Sequence, residues 1–316
     1  MPYRRGGTSG LKLPAIALGA WETFGGYRGP EIARDCIFGA FDLGITHFDL
    51  ANNYGRPPGQ AEIVVGRVLC ELPRDELIVS SKAGFLMWPG PYGQGCSRKS
   101  LLASVDQSLQ RLGLDYVDIF YAHRFDAETP LQETLGVLDQ IVRQGKAVYA
   151  GLSNYSGPQL EEALDLVRQF RLAPVVVEQS SYSLLNRGIE FDLLPAAAHA
   201  GVGVVAFSPL AQGLLSEKYL NGIPEDSRAA KMWTDEQRAV LGRAMQGKVS
   251  KLNELAKARG QTLPQMALAW ILRRPEITSV LTGASDVRHV QENVKALANL
   301  NFSTEELTAI DRICAS

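Results

Sequence analysis

Cysteine is scarce in this 316-residue chain: Cys36, Cys70, Cys96 and Cys314 stand far apart, with no C-x-x-C pair among them. That pattern suggests neither a disulfide framework nor a zinc site. A reducing, cytoplasmic setting is the expectation. Neither sign of charge is in excess, since 32 Lys and Arg face 34 Asp and Glu for a net charge of −2. The basic footprint of a general nucleic-acid binder is therefore missing. No apolar run approaches the ~18 residues a membrane span needs. The start, Met1-Pro2-Tyr3-Arg4-Arg5-Gly6-Gly7, has no apolar stretch behind its charges and does not read as a signal peptide. Internal repeats and low-complexity tracts do not stand out. Hydrophobic residues at 46% and charged residues at 21% instead point to a globular chain, long enough to bury a large core without staples.

Short β-rich apolar runs recur: Ala15–Leu18, Ile45–Leu50, Leu77–Ser81, Tyr116–Tyr121, Ala147–Gly151, Val175–Glu178, Val202–Phe207 and Thr278–Leu281. Helical stripes separate most of them. Leu101, Val105, Leu109 and Leu112 share one face, with Ser97 as the expected N-cap. Leu160, Ala163, Leu164 and Val167 form a second, entered through a capping-box pattern at Ser156 and Gln159, with Pro158 in the first turn. Gly44 follows the stripe Ala33, Cys36, Ile37, Ala40 and Phe41 and is placed to end it in a left-handed cap. Strands alternating with helices imply parallel pairing. Eight such units predict an α/β fold, one closed eight-stranded parallel (β/α) TIM barrel spanning residues 1–316.

The rival doubly wound open sheet calls for an early phosphate-binding glycine turn. The first strand instead leads into Leu18-Gly19-Ala20-Trp21-Glu22-Thr23-Phe24. The one G-x-G-x-x-A match, at Gly201, Gly203 and Ala206, leads into a strand rather than out of one. Tyr3–Leu13, with Ser9-Gly10 as its turn, reads as an N-terminal hairpin that closes the barrel bottom. After the seventh strand about 70 residues hold a loop marked by Gly213, Gly222 and Pro224, then two helical stripes ending near Ile271. We read this as a long loop and helix insertion around one barrel.

Chemistry in such barrels sits at the strands' C-terminal mouth. Asp49, Lys82, His123, Ser153, Asn154, Gln179 and Ser208 all fall at strand ends there. Alone, each is an ordinary solvated end or turn residue; together they form one polar rim. His47 lies two residues before Asp49, hence on the same inward face, and reads as a hydrogen-bonded barrel histidine.

The segment Phe48-Asp49-Leu50-Ala51-Asn52-Asn53-Tyr54-Gly55 resembles the aldo-keto reductase motif in which an Asp ends a strand and a Tyr follows five residues later. Ser81-Lys82, Tyr121-Ala122-His123-Arg124 and Gly151-Leu152-Ser153-Asn154 resemble the family's other site strands in the right order. So do Tyr182-Ser183-Leu184-Leu185-Asn186-Arg187, Ser208-Pro209-Leu210-Ala211-Gln212-Gly213-Leu214-Leu215 and Gly283-Ala284-Ser285 with Glu292-Asn293. Trp88-Pro89-Gly90-Pro91-Tyr92-Gly93 and Ser97-Arg98-Lys99 resemble the branch that reduces L-glyceraldehyde 3-phosphate and is related to potassium-channel β-subunits.

The resemblance implies NADPH-dependent reduction of small aldehydes and ketones, with L-glyceraldehyde 3-phosphate or methylglyoxal as candidate substrates. It assigns catalysis to Tyr54 as general acid, Lys82 lowering the phenol pKa, Asp49 holding Lys82, and His123 orienting the carbonyl. It places Trp21, Asp49, Ser153, Asn154, Gln179, Tyr182 and Ser208 around the nicotinamide. Pro209, Leu210, Gly213, Leu214, Ser216 and Lys218 would follow the pyrophosphate, and Gly283, Ser285, Arg288, Glu292 and Asn293 the adenosine end. For Tyr182 two readings stand, a ring stacked on the nicotinamide or a packed rim aromatic. Trp21, Tyr54, Trp88, Tyr92, His123 and Arg124 are the expected substrate contacts. Asp286 departs from the Arg or Lys common after the serine at 285, so NAD stays open beside NADP. No metal is implied, and a homo-oligomer is an open expectation. Two other readings remain: a Schiff-base aldolase using Lys82, and a redox-sensing regulatory subunit that binds NADP with slow turnover.

Overall fold

Each of the eight apolar runs becomes one stave of a closed barrel. The computed structural model describes residues 1–219, 223, 225, 229–230, 234–236 and 243–315. Two short strands come first, β1 (Tyr3–Arg5) and β2 (Lys12–Pro14). The barrel strands are β3 (Ile16–Gly19), β4 (His47–Asp49), β5 (Ile78–Ala83), β6 (Val117–Ala122), β7 (Ala147–Ser153), β8 (Val175–Ser181), β9 (Gly203–Phe207) and β10 (Ile277–Thr282). They run in chain order around the barrel, with β10 closing on β3, and every pairing is parallel. All C-terminal ends therefore open on one mouth.

Helices α1 (Pro30–Asp42), α2 (Gln60–Leu69), α3 (Arg98–Leu112), α4 (Leu131–Arg143), α5 (Gly157–Phe170) and α6 (Leu193–Ala200) each return the chain between consecutive staves. Their ends follow local chemistry. Ser97 Oγ accepts the Ser100 N–H at the start of α3. Ser156 and Gln159 form the reciprocal capping box of α5, with Pro158 in its first turn. The chain leaves α1 through Gly44 at φ +81°, a conformation that favours glycine. The two late stripes form helices Arg243–Ala258 and Leu263–Leu272. The second is buried nearly all round, with Trp270 at its centre. Of the expected loop markers here, Gly222 and Pro224 lie outside the described residues. None of the described helices is long and apolar enough to cross a membrane.

β1 and β2 pair antiparallel as the expected hairpin, Tyr3 opposite Pro14. It plugs the bottom: Thr278 Oγ1 donates to Arg5 O, and Ser279 Oγ to Pro14 O. Leu11 and Leu13 pack inside the barrel against Ile119, Tyr121, Val177 and Val205. Burying each such leucine contributes about 1.5–3 kcal/mol. The glycines of the discounted motif serve this seal. A Cβ on Gly203 would stand 2.7 Å from Gly6 Cα, so only glycine lets the hairpin seat there.

Candidate active site

Alternation along the staves points polar groups inward at the mouth. On β4, His47 and Asp49 both face the lumen, as do Ser80 and Lys82 on β5. Lys82 Nζ donates to Asp49 Oδ2 at 2.6 Å and to Leu50 O at 2.6 Å. The other carboxylate oxygen accepts from Ser80 Oγ at 2.6 Å and Gln179 Nε2 at 3.0 Å. The pair is wholly buried, the lysine side chain at 0% exposure, so its charges are balanced mainly by each other and these hydrogen-bond partners. Ser80 spends its one proton on Asp49 and so accepts from His47 Nε2, 3.0 Å away. His47 is thus a buried neutral imidazole, and burial holds its pKa at about 4. The sequence reading of His47 as a barrel histidine holds.

Tyr54 comes from the loop after β4. Its carbonyl accepts the N–H groups of Gly59 and Ala61, which folds the loop back and brings the ring to the mouth. The Lys82 ammonium lies 5.1 Å from the Tyr54 ring centroid. His123 follows β6 and is held between Tyr54, at 5.9 Å between ring centroids, and Phe85, at 4.7 Å edge to face. Burial, then the Lys82 charge, keeps His123 far below the usual imidazole range and neutral. The four expected catalytic residues therefore meet in one place. One expectation changes. Burial and the Asp49 charge push the Tyr54 phenol well above its ordinary range rather than below it. The Lys82 charge is largely committed to Asp49.

Asp49, Tyr54 and His123 line a cavity of about 540 Å³ that opens on the mouth. Of the expected cofactor residues, Trp21, Asn154, Gln179, Ser208, Pro209, Leu210, Gly213, Gly283 and Ser285 also line it. Asn154 sits at φ +60° and donates to His123 O and Ser153 Oγ. Ser153 itself is buried behind the wall and donates to Gln179 O, so it positions rather than touches. The turn after β9 holds Ser208, Ala211, Gln212 and Gly213 at positive φ. It curls the backbone around the cavity's far end.

Several expected residues lie elsewhere. Tyr182 is fully buried, tilted against Trp270 at 5.3 Å, and its hydroxyl donates to Glu190. It is a packed aromatic, and the ring at the cavity wall is Phe207. Trp88 and Tyr92 belong to a self-contained loop closed by the Met87 N–H on Gly93 O, where Tyr92 meets Lys99 rather than the cavity. Phe85 supplies the aromatic wall instead. Arg124 turns away, its Nε on Gly84 O. Leu214 does not line the cavity, and Ser216 folds back onto Gly213 O. The Lys218 side chain lies outside the described residues.

Among the residues expected at the adenosine end, Glu292 bonds Gln265 and Lys295, and Asn293 is buried. Arg288 is held by Asp286, Nη2 to Oδ2 at 2.6 Å and Nε to Oδ1 at 3.0 Å. That guanidinium holds the carboxyl well below the usual carboxylate range. His289 lines the cavity beside Ser285. Phe207 was findable from period-2 alternation, since Val205 two residues before it faces the lumen.

The cavity pairs a phenol and an imidazole at one end with two side-chain amides, a flat ring and a glycine-bearing turn along the other. Residues 15–315 match the aldo/keto reductase family. The chain is 52% identical to L-glyceraldehyde 3-phosphate reductase of Escherichia coli strain K12, and equally to that of Escherichia coli O157:H7. Each match covers 99% of this chain and 92% of the relative. A crystal structure of a thermostable aldo-keto reductase with the inhibitor epalrestat superposes with a TM-score of 0.78 at 33% identity, over 99% of this chain and 100% of that one. The chain is an oxidoreductase and belongs to the aldo/keto reductase family.

Proposed function

We propose that the chain reduces small aldehydes and ketones with NADPH, Tyr54 acting as the acid and L-glyceraldehyde 3-phosphate being the first substrate to try. The observation that carries this is Tyr54 and His123 facing one cavity above a buried Lys82–Asp49 pair. The lining fits a dinucleotide. Asn154 offers its amide oxygen, Gln179 its oxygen and the N–H not given to Asp49, to a carboxamide, and Phe207 offers a flat face. The turn Ser208–Gly213 admits close backbone approach to phosphates.

The bound nicotinamide supplies the hydride. Tyr54 gives its hydroxyl proton to the carbonyl oxygen as negative charge gathers there. A phenol held above its ordinary pKa stays loaded at neutral pH and yields only to a strong base such as a nascent alkoxide. The Lys82 ammonium, 5.1 Å from the ring centroid, offsets the charge left on the phenolate. His123 Nδ1 is buried with no hydrogen-bond partner among the described residues. Its other nitrogen, Nε2, is the donor that orients the substrate oxygen. Trp21, Tyr27 and Phe85 wall the substrate end, which suits compact carbonyl compounds.

A panel of both glyceraldehyde 3-phosphate enantiomers and methylglyoxal, followed by NADPH absorbance, tests this reading. Multiple turnovers with at least one of them are expected. No consumption of NADPH with any carbonyl compound overturns it.

The Asp286–Arg288 pair bears on dinucleotide choice. Arg288 is the cation expected at the adenosine end, and Asp286 holds it. Asp286→Ser keeps a helix-capping oxygen and frees the guanidinium. The NADPH dissociation constant is expected to tighten about fivefold, with NADH unchanged. An unaltered NADPH-to-NADH ratio removes Arg288 from phosphate recognition.

A further inference from the structure

Glu178 is a fully buried carboxyl that the chemistry above does not use. It lies on β8 directly before Gln179, on the strand's outer face beneath the helices. Among the described residues no Lys or Arg pairs with it. Its Oε1 accepts the Tyr155 N–H at 3.2 Å and Ser180 Oγ at 3.1 Å, while Oε2 has no partner. The Tyr155 N–H belongs to the turn that presents Asn154 to the cavity. That turn needs holding. Asn154 sits in the left-handed region at φ +60°, which a non-glycine residue keeps only when its surroundings fix it. Glu178 fixes it from behind, and the Asn154 N–H on Gln179 O at 3.0 Å fixes it from the front.

We propose that Glu178 is a positioning residue that clamps the Asn154 turn in its uncharged acid form, so that dinucleotide binding weakens in alkaline solution. The inference rests on the dinucleotide reading of the cavity. The titratable groups within electrostatic reach of Glu178 are the Tyr155 hydroxyl and, across the strand inside the barrel, the Tyr121 hydroxyl, with Cys96 and Asp126 acting on Tyr155. None is a cation. Burial pushes the Cys96 thiol up to about 12, so it too stays neutral. Burial likewise pushes the Glu178 carboxyl up to about 8, only partly offset by the Tyr155 N–H, the Ser180 hydroxyl and the Asn154 N–H. Once ionised, Glu178 becomes a lone buried charge that is relieved by admitting water. Water is admitted most cheaply by opening the strained turn, which takes Asn154 off the cavity wall.

The test is NADPH binding by the intact protein, read as fluorescence titrations from pH 7 to 9. If only the acid form binds, the dissociation constant is divided by the competent fraction and rises about tenfold over that range. Glu178→Gln keeps the carbonyl acceptor and cannot ionise, so it is expected to bind NADPH like the parent at pH 7 and stay flat to pH 9. A merely structural glutamate would not give that rescue. A parent whose affinity does not change with pH, or a Gln variant that keeps the rise, overturns the inference alone. Absence of NADPH binding at every pH overturns the dinucleotide reading and this inference with it.

Discussion

Replacing Tyr54 by phenylalanine is expected to lower kcat about 10²–10⁴-fold while leaving the NADPH dissociation constant within about twofold. The ring remains, and with it the edge contact to His123 at 5.9 Å. What disappears is the proton the nascent alkoxide must take. The hydroxyl also makes the size of the effect predictable. Its pKa lies above the ordinary phenol value near 10, so it is the loaded acid across neutral pH and gains nothing from solvent hydroxide. The neutral His123 cannot replace it, because a neutral imidazole is a far weaker acid than a phenol. Single-turnover rates beside equilibrium binding separate the two quantities. A Phe variant with parental turnover removes Tyr54 from proton delivery. One that loses NADPH binding along with its turnover shows that the phenol holds the cavity together instead.

Most of this site was legible because period-2 alternation reports orientation once strand ends are known. His47 and Asp49, Ser80 and Lys82, and Tyr121 and His123 are inward pairs two residues apart, and the barrel brings their ends together. The same rule marks Phe207, two residues after Val205, yet Tyr182 drew the stacking role from its motif. Counted on from the inward Val177 and Gln179, Tyr182 falls on the outward parity of β8, where it packs against Trp270. Trp88 and Tyr92 failed for a different reason: a loop's internal hydrogen bonds set its outward face, and composition does not reveal them. Arg288 shows that a charge can be in the right stretch and still be taken by its neighbour Asp286. The Tyr54 pKa was illegible in principle. Its sign depends on whether Lys82 or Asp49 and burial prevail, which is a matter of ångströms.

Asp49→Leu is expected to destabilise the fold by about 3–5 kcal/mol at pH 7, because it strands Lys82 in the barrel wall. Deprotonation caps that cost. Bringing a lysine from its ordinary pKa near 10.4 to the neutral amine at pH 7 costs about 4.6 kcal/mol. Glu62 lends the ammonium some Coulombic support but does not replace Asp49, since it is tied to Arg111 at 2.7 Å and to Ser81 at 2.6 Å. The cap carries a sign. In the variant the folded chain holds Lys82 neutral while the unfolded chain binds the proton, so stability rises with pH. The deficit against the parent should therefore shrink by about 2.7 kcal/mol between pH 7 and pH 9, measured by urea unfolding at each pH. Lys82→Met in the same background should restore most of the loss, since no buried charge is then left unpaired. A deficit that does not change with pH would mean that Lys82 keeps its proton, drawing on water admitted to the barrel. In that case the dry, mutually balanced pair is not what fixes the ammonium beneath Tyr54.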